Sequence, residues 1–522
     1  MPRAIAASLA ICAFALLASP LRAAVTSTEG GGQPIANMQA STVLNYIIRT
    51  SGDSTQLGEV VPFAGNIIPG GWALADGSIL SNSANMDLFH AVGNAYGGDG
   101  THFALPDLRG RTIVGTGTGS GLTPRAIGQK FGTESETLTI ANMPLDTMEI
   151  IRNGVDYGKT SAVGSASPVP YNNLQPSLVL NSVIQTTGSI VLSSTTVSGP
   201  FLGEVRTFAG SMAPAGYFPT DGRSISSSSN QNLGSQLALI YGGTGQSFNL
   251  PDLRGRVPIG AAQSPGDTTG AEAITLQSWP AHAHTDSFDD IIVSNKLGPI
   301  DLTNQNPSLD FNYIINVNGQ FPSSGVDTGT GFFLGELVVD ASIRTPSGWL
   351  PAQGQILSIA NYPALFSLIG TTYGGDGTTT FALPNVMDSA IVGAGAGPGL
   401  TPRALGATFG DNYTNLTIDQ VPAHSHTLAS LPGDYNNNGV VDAADYVLWR
   451  EHLGESITLP NDDSSGVAMN DYNIWRSEFG TTLATGAGAT NVPEPSMAAF
   501  VSLLLGIVCV STRFWHLASR EL

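Results

Sequence analysis

The sequence predicts a mainly β protein with long ordered loops, built from three copies of one module and followed by a small helical unit. Three observations carry this reading. Of 522 residues, 63 are Gly and 32 are Pro, a composition that favours turns and short strands over long helices. Charged residues make up only 11%, against roughly 25% in ordinary soluble domains, which excludes coiled coils and disordered polyelectrolytes. Gly-rich segments also recur three times in one common register. With 20 Lys+Arg against 40 Asp+Glu the formal charge is −20, too few cations to neutralise phosphates, so nucleic acid is not an expected partner.

At the start, Arg3, the apolar run from Ile5 to Ala18 and the small residues up to Ala24 have the three parts of a secretory signal over residues 1–23. The run is too short to span a bilayer. Residues 24–56 read as a linker holding Val43-Leu44-Asn45-Tyr46-Ile47-Ile48, a piece that recurs as Val179-Leu180-Asn181-Ser182-Val183-Ile184 and Asp310-Phe311-Asn312-Tyr313-Ile314-Ile315.

The modules occupy 57–145, 202–284 and 334–427, separated by linkers at 146–201 and 285–333. Leu57-Gly58-Glu59-Val60 returns as Leu202-Gly203-Glu204-Val205 and Leu334-Gly335-Glu336-Leu337. Tyr96-Gly97-Gly98-Asp99-Gly100 returns at Tyr241 and Tyr373, again offset by 145 and then 132 residues. Leu105-Pro106-Asp107-Leu108-Arg109-Gly110-Arg111 repeats from Leu250 to Arg256 and has decayed to Leu383-Pro384-Asn385-Val386-Met387-Asp388-Ser389 in the third copy. Leu122 to Gly128 is matched by Leu400 to Gly406 and is missing from the second copy.

Taken together, these motifs resemble the phage tail collar family, also met in the microcystin-dependent-protein group, over roughly residues 40–430. The resemblance implies β-rich modules with a structural role. The residues themselves agree. The Tyr-Gly-Gly-Asp-Gly segment supplies positions open to positive φ and Asp side chains that can close a tight loop. No Lys-Ser/Thr follows the glycines, so they are not a nucleotide cradle. Asp107, Arg109 and Arg111 are expected as ion pairs fixing loop geometry, with a receptor or glycan contact as the alternative. There is no Gly-x-Ser-x-Gly or His-Glu-x-x-His. The two cysteines, Cys12 and Cys509, lie in the terminal segments. No catalytic residue is assigned, and the protein is expected not to be an enzyme.

Two modules close on histidine pairs, Pro280-Ala281-His282-Ala283-His284 and Pro422-Ala423-His424-Ser425-His426. On a strand, residues i and i+2 share a face, so each pair can grip one metal, zinc or iron on imidazole preference. Phage tail fibres hold a metal in a trimer through such pairs, so the resemblance implies a homotrimer around one ion. The first copy reads Met143-Pro144-Leu145-Asp146-Thr147 instead, leaving a site with one pair from each copy of a single chain incomplete.

Residues 433–480 shift to Asp and Asn. Asp434, Asn436, Asn438, the Val440 carbonyl, Asp442 and Asp445 stand at positions one, three, five, seven, nine and twelve of a calcium loop, with Gly439 at the sixth. The piece around Tyr446 and Trp449 recurs 26 residues later around Tyr472 and Trp475. This pairing resembles type I dockerins, implying an EF-hand-like α-helical domain. A cohesin-like partner would touch Trp449 and Trp475, which could equally form the core. The second loop, Asn461 to Tyr472, lacks acids at its ninth and twelfth positions.

A flexible tether at 481–491 leads to Val492-Pro493-Glu494-Pro495, and the eighteen residues from Pro495 to Thr512 are uncharged, up to Arg513. This end resembles the PEP-CTERM sorting signal, implying exosortase processing and a membrane span within 492–522. The reading is thus an exported, surface-associated structural or adhesive protein, at least transiently anchored through its C-terminal end, binding a glycan or extracellular protein. An exported polysaccharide-active enzyme carrying a dockerin, and a prophage-derived tail fibre component, are the alternatives.

Overall fold

The computed structural model describes residues 26–481, apart from 53–55, 153–154, 189, 192–196, 198, 263–264, 281, 286–290, 294–299, 324–330, 343, 427–430, 437–439, 458 and 462–465. The signal at 1–23, most of the tether, the sorting segment at 492–522 and the candidate ligand Asn438 lie outside the described residues. Among the described residues, no helix is long and apolar enough to cross a membrane.

Each module begins with a nine-residue lead strand: Ser41–Arg49, Ser177–Gln185 and Ser308–Asn316. These are the Leu-Asn-rich pieces of stretches expected as linkers, and they are the longest strands of a fifteen-stranded sheet. All nine residues of the second are buried, because other chain segments cover both of its faces. Each lead strand pairs antiparallel with its own module's Gly-Glu strand: Glu59–Phe63, Glu204–Phe208 and Leu337–Asp340. A small hairpin with a seven-residue helix (Met86–Val92, Gln231–Leu237, Pro363–Ile369) follows in each copy.

The other half of each lead strand belongs to a neighbour. The second pairs in parallel with Thr112–Gly115 of module 1, and the third with Val257–Gly260 of module 2. The first pairs with Ala390–Gly393 of module 3, more than 340 residues away. Equivalent registers, Ser41 on Ala390, Ser177 on Thr112 and Ser308 on Val257, close the three copies into a ring with pseudo-threefold symmetry within one chain. The homotrimer expected from the sequence is therefore not needed to bring the copies together.

Side chains repeat the same hand-over. Tyr96 donates to the Ala209 carbonyl at 2.9 Å, Tyr241 to Ala341 at 3.1 Å and Tyr373 to Ala64 at 2.8 Å, each reaching into the next module. Arg125 of module 1 binds Glu272 of module 2 at 2.6 Å, and Arg403 of module 3 binds Glu134 of module 1 at 2.7 Å. The third such pair is missing on both sides: module 2 lacks the segment carrying the arginine, and the position matching Glu134 and Glu272 is Asn412. The Asp107–Arg109 and Asp252–Arg254 pairs are fork contacts, each with Nε to Oδ1 at 2.8 Å, and they hold the turn leading into the parallel strand.

Around the axis the backbones approach too closely for any side chain. A Cβ on Gly115, Gly260 or Gly393 would stand 2.2, 2.0 or 2.0 Å from a neighbouring module's carbonyl oxygen. The axial core also holds ions. Glu59 and Glu204 are fully buried and Glu336 is 2% exposed. Arg206 donates to Glu59 and Glu204, and Arg49 lies 3.7 Å from Glu59. Burial pushes the Glu336 carboxyl up to about 8, with Glu59 and Glu204 adding to the rise and Arg206 opposing it.

After the third module come two helices, Ala443–Glu451 and Met469–Glu478. Tyr435, Trp449, Leu459 and Val467 form their core, with Trp475 packed against it. Trp449 is 5% exposed and donates to the Ala468 carbonyl at 2.8 Å, while the Trp475 indole donates to the Asp442 carbonyl at 2.7 Å. Both indoles hold this small unit together, and the Trp449 side chain is not presented for a partner.

Candidate metal centre

The three modules end at equivalent Pro-containing segments, and the ring brings these ends to one place. Met143, Trp279 and Val421, each just before its proline, are fully buried in one cluster. The Trp279 ring centroid lies 4.5 Å from that of His424 and 5.6 Å from that of His282. Beside this layer stand His282, His284, His424 and His426, the group among the described residues placed to hold a metal, with ligand atoms all within 4.8 Å of one another. Sequence spacing alone paired 282 with 284 and 424 with 426; the ring closure unites the pairs.

Hydrogen bonds outside the cluster fix the tautomers. Nδ1 of His282 faces the Pro280 carbonyl oxygen at 2.9 Å, and Nδ1 of His424 faces that of Pro422 at 3.0 Å. Nδ1 of His284 faces the Ser27 carbonyl at 2.7 Å, and Nδ1 of His426 that of Ser161 at 2.9 Å. A carbonyl oxygen only accepts, so each Nδ1 carries the proton and each neutral ring turns an Nε2 lone pair inward. Carbonyl oxygens that accept from the outward ring nitrogen orient metal-binding imidazoles in this way.

The inward nitrogens are close. His424 Nε2 lies 3.1 Å from His282 Nε2 and 3.3 Å from His284 Nε2. Two lone pairs facing at that distance repel unless a cation lies between them. Ligands about 2.1 Å from one ion and at right angles stand about 3.0 Å apart, so the spacing suits adjacent corners of a coordination shell. Burial, reinforced by the other imidazoles, holds His424 down at about 4 and lowers His284, keeping both rings neutral and ready to donate.

A fifth group was not singled out in the sequence. Asp146, 1% exposed, places Oδ2 3.7 Å from His282 Nε2 and 3.9 Å from His426 Nε2. It stands two residues after Pro144, as His282 stands after Pro280 and His424 after Pro422, and that alignment was the available signal. Met148, fully buried, takes the register of His284 and His426. The first described residues wrap the site: Thr26 donates its N–H to the His426 carbonyl and Glu29 exchanges backbone bonds with His424.

The calcium-loop residues are arranged differently. Asp445 is fully buried and accepts the N–H groups of Asn436 and Asp442 at 2.9 and 2.8 Å, while Asp442 caps the helix through the Ala444 N–H at 2.7 Å. Asp434 is fully buried at the start of the loop, and Val440 lies in a bridge just before the helix.

The fold and this convergence define a class: a single-chain ring of three β modules sharing one histidine-lined centre. The modules themselves match the Phage Tail Collar Domain family at residues 58–113, 203–258 and 335–391, so the chain carries three collar modules. Neither a curated protein nor a solved structure gives a match.

Proposed function

We propose that this chain is a non-enzymatic structural or adhesive element, a covalently linked counterpart of a trimeric fibre collar locked at one end by a transition metal. The observation that carries the reading is the cyclic hand-over of lead strands, which builds a complete threefold collar from one polypeptide and gathers four imidazoles in it. Zinc or iron suits the imidazole set. A rigid ring with broad outer faces, rather than a reactive cleft, is suited to contacting a glycan or an extracellular protein.

In this reading the secretory signal exports the chain, and the PEP-CTERM-like end, processed by an exosortase, holds it at the cell surface. The two-helix unit, dockerin-like, binds calcium through its first loop and docks a cohesin-like partner. The buried Asp445, which accepts the N–H groups of Asn436 and Asp442, and the buried Asp434 support this reading. Light scattering of the purified full-length protein with and without EDTA tests the proposal. A monomer that carries about one transition-metal ion and loses thermal stability with EDTA is expected; an obligate trimer overturns the single-chain reading.

A further inference from the structure

We propose that Asp146 is the fifth ligand of the centre, so that module 1 supplies a carboxylate oxygen where modules 2 and 3 supply histidine pairs. This rests on the metal reading above. Three features of the structure support it. The side chain is buried, at 1% exposure, and its Oδ2 lies 3.7 and 3.9 Å from two of the inward nitrogens, within the span that one ion bridges. Its register is that of His282 and His424, so the pseudo-threefold symmetry that aims those rings also aims this carboxylate. Finally, charge balance favours it. Four neutral imidazoles leave a divalent ion with its full double charge in a buried site, a costly arrangement, whereas one carboxylate halves the net charge.

The donor set has a further consequence. Four nitrogens and one oxygen favour a divalent ion of borderline hardness, such as zinc or iron(II), over copper(I), which prefers sulfur. Met148 fills the register where a sixth imidazole would stand, and its thioether is a soft, weak donor to such ions. Module 1 therefore makes the centre five-coordinate in strong ligands, in contrast to a site lined by six imidazoles.

The test is titration of the metal-stripped full-length protein with cobalt(II) and zinc(II), comparing wild type, Asp146→Asn, the double variant Asp146→His/Met148→His, and His282→Ala/His424→Ala. Wild type is expected to bind one ion per chain with the intense visible cobalt bands of a five-coordinate site. Removing outer-shell partners typically costs 10–100-fold in affinity, so loss of a direct ligand in Asp146→Asn should cost at least about tenfold and change the cobalt spectrum. The double variant should recover affinity with the weaker bands of a six-coordinate site. If wild type binds no metal, or binds equally well without His282 and His424, the metal reading itself fails. If wild type binds through its histidines but Asp146→Asn keeps both affinity and spectrum, only the assignment of Asp146 is overturned. Should Asp146→Asn not fold, single Asp146→His reads the same spectrum, and unchanged bands there overturn the assignment.

Discussion

Arg206 offers a direct test of how the ring is held together. By repeat logic it is the odd residue, since Val61 and Val338 stand at its position in the other modules. Restoring the repeat with Arg206→Val would look stabilising. The tertiary structure argues the opposite. Arg206 is 6% exposed, donates to Glu204 Oε1 at 2.7 Å and to Glu59, and feels the charge of Glu336 more weakly. Removing it strips the countercharge from the buried carboxylates Glu59 and Glu204 of two different modules, and breaking a buried ion pair costs about 3–5 kcal/mol. The ring from Thr26 to His426 spans about 400 residues, and at about 2.1 cal/mol/K per residue its unfolding entropy is about 0.8 kcal/mol/K, so Tm should fall by roughly 4–6 °C. The carboxylates can escape the lost charge by protonating, so the deficit should shrink as pH falls from 8 to 5. Calorimetry at both pH values is the assay. A variant as stable as wild type at pH 8, or a deficit that does not change with pH, would refute the reasoning.

Other outcomes follow from the same ring. Tyr46 and Tyr313 bond the Ile391 and Pro258 carbonyls, while Ser182 holds the equivalent place in module 2; its hydroxyl is buried without a partner, and a cavity of ≈ 30 Å³ lined by Ile113, Val205 and Leu253 opens on the axis. Ser182→Tyr inserts a ring larger than that space and should cost about 1–3 kcal/mol in urea unfolding through overpacking, and a gain in stability would show that the interface relaxes to accept the tyrosine. Gly393→Ala places a Cβ 2.0 Å from the Leu108 carbonyl oxygen and should cost about 3 kcal/mol or more; wild-type stability would mean the ring yields there. Glu336 has its acidity weakened to about 8 in the fold from an ordinary 4.5, so its contribution is present below pH 4.5 and is lost as pH rises through 8. Glu336→Gln should flatten the stability profile across that window, and an unchanged slope would place the titration elsewhere.

Much of the local structure was legible in the residues. The Tyr-Gly-Gly-Asp-Gly loops close on their own acids: Asp99 accepts from Thr101 and His102, and Asp376 from the N–H groups of Thr378, Thr379 and Thr380. Asp107 and Arg109, two apart, form the expected ion pair, and the structure makes it a two-pronged one. What the repeats did not disclose was the partner of each lead strand. A strand's own sequence states its burial and its alternation, while its neighbour is chosen by which hydrogen-bonding edge the whole chain leaves open. The intermodule ions show the same limit. Glu272 and Glu134 lie outside the recurring motifs, and only their contacts with Arg125 and Arg403 reveal why Asn412 replaces them where the arginine is gone.

By itself, the sequence determined the modules, their number, their tight Gly-rich turns and the two imidazole pairs, because each depends on residues within a few positions of one another. Only the tertiary structure decided that the copies close on themselves. Residues 41–49 and 390–393 can bond only when the intervening chain bends into a ring, and that closure turns two separate histidine pairs and an overlooked aspartate into one centre.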